Sequence, residues 1–564
     1  MLFFLPIYFE IQSTLKNKTM NPTADSSGQW PLANSYDPFA APTHPPLTSA
    51  QKLLLPLGVV LYNWLFWDEQ WGANLLVFAL FVVVAQLVML PAHAAVRRSA
   101  YFWLMAGGSL FSGAMMAVYG SGVAALACTG SLLMLLGFVN QPHLRLVHHA
   151  LLTAVGSGLR AGARVVRVLR LPRRPGTGVR RSWYYGRMLL VPLVILVSFH
   201  LLFAVANPRY DALSGRVLAV LGDWLVRLLP DISLGHLLFL VLAFWVVAGV
   251  LVVVPVHFFA DHESHFGEFI RRQRDRVASF GVRRPDFRWK ATRALDLRKE
   301  YFAAVAVFGL VNVLLLVVNA IDINWLWFGF EPAAGFDLAQ FVHEGTYVLI
   351  FSILLAMGIV LWFFRRNLNF YAPGLPLLRA GATVWVLQNA VLATSVGLRN
   401  YYYILHSGLA YKRIGVCFFL LLTFFGLATV LLKIWQRRSA FSLVRLNSLA
   451  VYAVLLLLAA GNWEVWIAQY NLQPRFRSID IGFLLDMPDR ALPTVLARRA
   501  VLDRAALLSV NNEYGRGQQI DAAEAQRRLD FAVKAAQASY ARHSHWQSLT
   551  WADYQAAQQL GKSN

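Results

Sequence analysis

Residues 234–256 read LGHLLFLVLAFWVVAGVLVVVPV, and His236 is the only ionisable side chain among them. A helix of ~20 such residues spans the hydrocarbon core of a bilayer. Inside lipid every backbone N–H and C=O must be satisfied within the protein, so only helices and closed barrels cross. Barrel strands are alternating segments of ~10 residues, whereas this run is apolar throughout. It predicts a membrane helix.

The pattern repeats. Candidate spans fall at about 52–67, 71–91, 101–120, 122–140, 188–206, 234–256, 301–320, 341–364, 376–397, 413–435 and 443–461. The first is the weakest, being short, containing Pro56 and ending in NWLFWDEQW, an aromatic and acidic belt suited to an interface. Composition agrees: 57% of the 564 residues are hydrophobic and 14% charged, against about 25% charged in soluble domains. The expected fold is all-α: a polytopic transmembrane bundle of about eleven spans with a small helical C-terminal tail. Residues 1–50 read as a disordered arm, 51–461 as the bundle, and 462–564 as the tail. Within the arm, 1–19 reads as a start-site artefact or frayed extension.

Loop charge orients the spans. Arg97 and Arg98 follow the second span, and ten arginines without an acid occupy 141–187. Eleven Lys/Arg against seven acids occupy 257–300, and Arg365, Arg366, Arg379, Arg437 and Arg438 fill later connections of the same parity. The alternate connections are poor in positive charge, with Arg399 and Lys412 as the mild exception. The positive-inside rule then predicts one orientation throughout, with the N-terminus cytoplasmic and the tail outside. The formal charge of +22 points to anionic lipid of the inner leaflet as the partner, and away from nucleic acid. In 158–174, Arg160, Arg164, Arg167, Arg170 and Arg174 fall within ~120° of one another on a helical wheel, opposite Val165, Val166, Val168 and Leu169. That is a basic amphipathic helix at an anionic surface. Ser109, Gly113, Ala117 and Ser121 form a small-residue stripe for close helix packing. Cys128 and Cys417, both inside apolar runs, read as small buried hydrophobes.

Few residues carry chemistry. His143, His148 and His149 form one histidine cluster, and His257, His262 and His265 another with Asp261 and Glu263. Imidazole and carboxylate suit zinc or iron, and a membrane metalloenzyme of the oxygenase kind is the enzyme hypothesis. The spacing departs from HxxHH and HxxxHH boxes and a third box is missing, so solvated histidines are preferred and no cofactor is expected. No Gly-rich phosphate loop, GxSxG elbow or HExxH occurs. The outer interface is more distinctive. Asn319, Asp322, His343, Glu344, Arg399, Tyr411, Arg413, Glu464, Tyr470 and Asn471 gather at span ends there. They read as an aromatic belt with salt bridges, or as a shallow polar pocket. In NWEVWIAQYNL (462–472), Trp463, Trp466 and Tyr470 share a helical face as headgroup anchors, leaving Asn462, Glu464 and Asn471 to meet Arg399 or Arg413.

Several segments carry a resemblance: VNAIDI at 318–323, FVHEGTYVLIFSILLA at 341–356, LQNAVLATSVGLRNYYYILHSGLAYKRIGV at 387–416, NWEVWIAQYNL, and SIDIGFLLDMPDRALPTVL at 478–496. The chain resembles the bacterial multipass family called domain of unknown function 4173, related to 4153, in a Bacteroidetes-like branch. The resemblance implies a Gram-negative inner membrane and carries over no catalytic residue. The leading expectation is a non-enzymatic permease-like, scaffold or sensor-associated component, with the tail as a surface for a protein partner. The rivals are the histidine-based metalloenzyme and a transporter of lipid or other apolar substrates, which would need a cavity of ~300 Å³ or more.

Overall fold

The structure is a computed structural model. It describes residues 47–91, 93–169, parts of 192–217, 233–270, 297–328, 330, 338–365, 367–476, 478–505, 507–511, 517–542 and 545–561. Most of the arm expected at 1–50 lies outside these residues, as do 170–187, 271–296 and most of the fifth span. At Thr48 the chain is already ordered. Gln51 N–H donates to Thr48 Oγ1 while Thr48 N–H donates to Gln51 Oε1. This reciprocal cap satisfies two orphan donors and starts α1, Ser49–Phe66.

The bundle continues with α2 (Ala73–Met89), α3 (Ala100–Tyr119), α4 (Gly122–Asn140), α5 (Val147–Leu169), α6 (Leu234–Leu251) and the short α7 (Phe258–Ser264). Then come α8 (Leu297–Asp322), α9 (Leu338–Phe363), α10 (Leu375–Ser407), α11 (Tyr411–Gln436) and α12 (Ala440–Ala459). Among the described residues seven helices are long and apolar enough to cross a membrane: α3, α4, α6, α8 with its extension to Trp327, α10, α11 and α12. Ala73–Met89 and Tyr347–Phe363 are shorter apolar stretches.

Two groups of helices have separate cores. In the first, α3 packs on α2 and α4, α5 on α4 and α6, and α1 on α6. In the second, α10 packs on α8, α9 and α11. α12 touches α11 on one side and α3 and α4 on the other, joining the groups. At that junction Tyr452 Oη lies 2.9 Å from Ser131 Oγ, both within the bundle. The small-residue stripe of α3 serves packing: a Cβ at Gly113 would meet Leu76 Cα at 3.2 Å. Of the cysteines, Cys128 is buried, whereas Cys417 is exposed, its Sγ accepting from Asn400 Nδ2 of α10 at 3.3 Å.

Helices α8 and α10 run parallel and share a polar ladder. Asn312 Nδ2 donates to Gly381 O, and Asn319 Nδ2 to Gln388 O, each at 3.0 Å across 69 residues. Trp327 Nε1 donates to Ser395 Oγ at 3.0 Å across 68 residues. The near-constant offset fixes the direction. The seven-residue step from Asn312 to Asn319 keeps both on one seam, as in a coiled coil.

Two expectations change here. The connection expected at 398–412 is helical to Ser407, so Arg399 lies within a 33-residue helix. It stays there because Asp322 offsets its charge. The tail is not purely helical. After α13 (Trp463–Asn471) it forms β1 (Ser478–Asp480), then α14 (Ile481–Leu485), α15 (Leu492–Ala497) and α16 (Ala500–Arg504). β2 (Leu507–Asn511) and β3 (Gly517–Ile520) follow, before α17 (Ala522–Arg542) and α18 (Trp551–Gly561). β1 pairs parallel with β2, and β2 antiparallel with β3. A three-residue strand is too short to show a period-two pattern, which hides it from sequence reading.

Candidate functional site

The tail folds back onto one end of the bundle. Asn74 N–H donates to Gln547 O at 3.0 Å, and Gln70 N–H to Ser548 Oγ at 2.8 Å. His545 Nδ1 lies 2.8 Å from Glu69 Oε1, Ser548 Oγ donates to Glu69 Oε2, and the rings of Trp64 and Trp546 stand 5.4 Å apart. The turn after α1, the turn after α3 and the turn between α10 and α11 therefore share one end with the tail.

Arg490 is the hub of this seam. Its Nη2 donates to Glu464 Oε1 at 3.2 Å, and its Nη1 lies 3.9 Å from Asp553 Oδ1. Arg490 and Glu464 are both buried. Asp553 is held in turn by Thr550, whose Oγ1 donates to Asp553 Oδ2 at 2.6 Å and accepts from Asp553 N–H at 3.2 Å, the latter being the N-cap bond that starts α18. Burial, then the charge of Asp553, raises the Asp489 carboxyl above its ordinary range. Burial, then Asp553 and Asp489, likewise raises the Tyr540 hydroxyl. Gly120 admits the guanidinium: its φ is +65°, and a Cβ there would meet Arg490 Nη1 at 2.6 Å. Beside the hub lies a cavity of about 350 Å³ bounded by α13, α15 and α18. A smaller one, about 210 Å³, lies where the turn after α10 meets β1.

The ten residues expected at the outer interface divide into separate groups. Asp322 and Arg399 pair at 2.8 Å inside the α8–α10 seam, one turn beyond Asn319. There α8 loosens into a π-helical turn, Ile323–Trp327, a form common at functional sites. Arg413 meets neither Glu464 nor any acid in its described contacts. It donates to Ser407 O at 2.7 Å and to Gly408 O, and covers the Tyr403 ring, so it caps the C-terminus of α10. Asn471 clamps the following turn, accepting from Leu409 N–H at 2.6 Å and donating to Leu409 O at 2.9 Å. Glu464 turns to Arg490 rather than to Arg399 or Arg413, with Tyr411 beside it. Those two arginines are committed elsewhere, and Arg490 is brought over by the fold of the tail. Tyr470 stacks under Arg475, 4.6 Å from its centroid. Trp463 packs on Phe418 and donates to Leu458 O, while Trp466 is 46% exposed and still free to face a membrane surface. His343 and Glu344 lie on the first turns of α9, and their side chains lie outside the described residues. Arg490, Asp553 and the tail latch were missed, although Asp489–Arg490 is a charged pair in an otherwise apolar stretch.

At the opposite end, the histidine clusters meet around an acid that sequence reading left secondary. Glu263 is buried, accepts from Arg145 and Leu146 N–H at 2.7 and 3.2 Å, and lies 2.8 Å from His149 Nδ1. Its carboxylate thus sits at the start of α5, where the helix dipole favours negative charge. His148 meets His149 edge to face, 4.6 Å between ring centroids, and burial, then the His149 charge, lowers its pKa to about 4. Burial, then His149, also lowers that of His262. His143 is exposed, and His257 Nδ1 lies 3.1 Å from Gln141 Nε2. α7 is only seven residues long, so His257 and His265 flank it rather than share its face. His265 meets the backbone oxygen of Asp261 at 2.7 Å, not its carboxylate. Among the described residues no three His, Cys, Asp or Glu side chains converge as a metal site.

The basic helix α5 starts at this end and packs along α4 and α6, with Gly158 against Gly249 and Gly162 against Trp245. Arg160 and Arg167 are exposed, and Arg164 Nη1 donates to Val253 O at 2.5 Å. Arg170 and Arg174 lie outside the described residues. The expected apolar face is split: Val165 is buried, whereas Val166 is 38% exposed beside the arginines, with Leu159 at 71%. The core takes Ala161 and Val165, one turn apart, and adjacent residues point ~100° away.

A bundle of long apolar helices with a tail seated on one end defines a membrane protein. Within that class the chain belongs to the family described as Domain of unknown function (DUF4153), whose model matches residues 54–497. This is the second of the two related families in the resemblance. No curated protein and no solved structure matches the chain. The family match takes in Glu464 and Arg490 and ends before β2, so Asp553 and the latch at 545–550 lie beyond it.

Proposed function

We propose that the chain is a bacterial inner-membrane protein of about eleven spans whose tail is a periplasmic cap. It acts as a non-enzymatic component of the scaffold or sensor-associated kind, with bundle and cap working as one unit. The observation that carries this is the buried Glu464–Arg490 pair of the tail, 3.2 Å apart and seated against Gly120 at the end of the bundle. A pair removed from water needs its partner, so displacing the cap is opposed by uncovering two charges. The orientation rests on charge: Arg97, Arg98, Arg145, Arg437 and Arg438 lie at the end away from the tail, where positive-inside topology puts the cytoplasm. There Arg160 and Arg167 face anionic lipid.

A reporter fused after Leu560 tests the orientation, and one after Arg98 controls it. The expected result is a periplasmic signal from the first and a cytoplasmic signal from the second. A cytoplasmic signal after Leu560 would overturn the reading. The cap's role is tested by Arg490→Ala in the host, which should reproduce whatever phenotype deletion of the gene produces, independent of added metal.

A further inference from the structure

We infer that the cavity bounded by α13, α15 and α18, at the base of the cap, is a binding site for a small, uncharged, hydroxyl-rich molecule of sugar size. The inference rests on the reading that the cap is seated on the bundle, and names what that cavity receives. The cavity holds about 350 Å³, within the range of about 300–1,000 Å³ typical of small-molecule sites. Its wall brings together three separate stretches of the tail: Asn462 and Gln469 of α13, Arg490 and Thr494 around the start of α15, and Gln555 and Gln559 of α18.

The chemistry of the wall selects the ligand. No carboxylate lines it, so a cation finds no counter-charge. Arg490 is already paired with Glu464 and lies near Asp553, and Arg498 is turned onto the backbone oxygen of Gln469, so an anion gains little. What the wall offers is three side-chain amides, with Asn462 as a fourth, and a threonine hydroxyl. Each amide presents both donors and an acceptor. Two buried atoms of the wall have no hydrogen-bond partner: Asn462 Oδ1, an acceptor, and Arg490 Nε, a donor on a side chain only 7% exposed. Buried polar atoms left unpaired are costly. A hydroxyl is the one small neutral group that both donates and accepts, and a molecule with several can answer all of these groups.

The test uses the full chain in nanodiscs free of glycoside detergent, because a sugar-headed detergent would occupy the site. Glucose and trehalose are the neutral probes, with glucose-6-phosphate and glutamate as charged ones, and binding is read by saturation-transfer NMR. Protease protection of residues 545–550 reports separately whether the cap is seated. The expected result is a seated cap, binding of a neutral sugar, and at least a tenfold weaker Kd in Gln555→Ala/Gln559→Ala, whose side chains are on the exposed face of α18. Thr494→Val serves as a second variant with little change in shape. A seated cap with no neutral sugar bound, equal binding by both variants, or binding of glucose-6-phosphate or glutamate alone would overturn the inference and leave the proposed function standing. An unseated cap would overturn both.

Discussion

Arg490 Nη2 lies 3.2 Å from Glu464 Oε1, each side chain 7% exposed, at the point where the tail closes over the end of the bundle. The two residues are only 26 apart in the chain, and they tie the first helix of the tail to the turn that precedes α15. What their separation would cost gives the first prediction.

Glu464→Leu should destabilise the chain by about 3–5 kcal/mol, because it leaves a guanidinium buried with only the more distant Asp553. Glu464→Leu combined with Arg490→Met should recover most of that loss, since a well-packed apolar pair replaces a buried ionic one at little cost. Thermal unfolding in nanodiscs reads both. A double variant less stable than the single would show that the pair itself, not the orphaned charge, sets the cost.

Gly120→Ala should loosen the cap without touching an apolar core. An L-residue at φ +65° costs about 1–2 kcal/mol, and the added methyl displaces Arg490 Nη1 or Thr550 Cγ2, which would lie at 2.6 and 2.9 Å. Limited proteolysis should cut near 543–550 faster in the variant while the spans remain protected.

Asp322 and Arg399 should behave as one unit within the α8–α10 seam. Each single substitution, Asp322→Leu or Arg399→Met, is expected to cost about 3 kcal/mol, and the double far less than their sum. Unfolding measured for all four combinations yields the coupling. Additive losses would mean that the ion pair contributes nothing.

Acid should destabilise the end opposite the cap through His148. Its native pKa is about 4 against an ordinary 6.5, and the groups facing it are His149 and Glu263. Below the ordinary value the unfolded chain binds a proton that the native chain refuses, so stability falls as pH drops from 6.5 toward 4. The residual exposure of the ring limits the loss to about 2 kcal/mol. Melting at pH 7.5 and 5.0 should show a smaller acid shift in His148→Asn than in the unaltered chain.

Runs such as Leu234–Leu251 make a membrane helix legible from sequence because the constraint is local: in lipid a backbone must satisfy its own hydrogen bonds. The same holds for the arginines that mark alternate connections, whereas the cap of α1 at Thr48 and Gln51 falls in what read as a disordered arm. Neighbours along the chain suffice to state the apolar runs and the arginine pattern.

The pairing of charges is different. Arg399 looked like a loop residue until Asp322, 77 residues earlier, placed it inside α10. Glu464 looked like a partner for Arg399 or Arg413 until the tail supplied Arg490. The strand Ser478–Asp480 gains its identity from Leu507–Ser509 and not from its own three residues. Hydrophobic length and loop charge, then, were determined by the sequence alone, since each acts within a few residues. Which buried ion meets which, and that α13, α15 and α18 border an open cavity, were decided only by the tertiary structure. A buried charge takes the partner that packing brings within about 4 Å, and no periodicity in the chain encodes that distance.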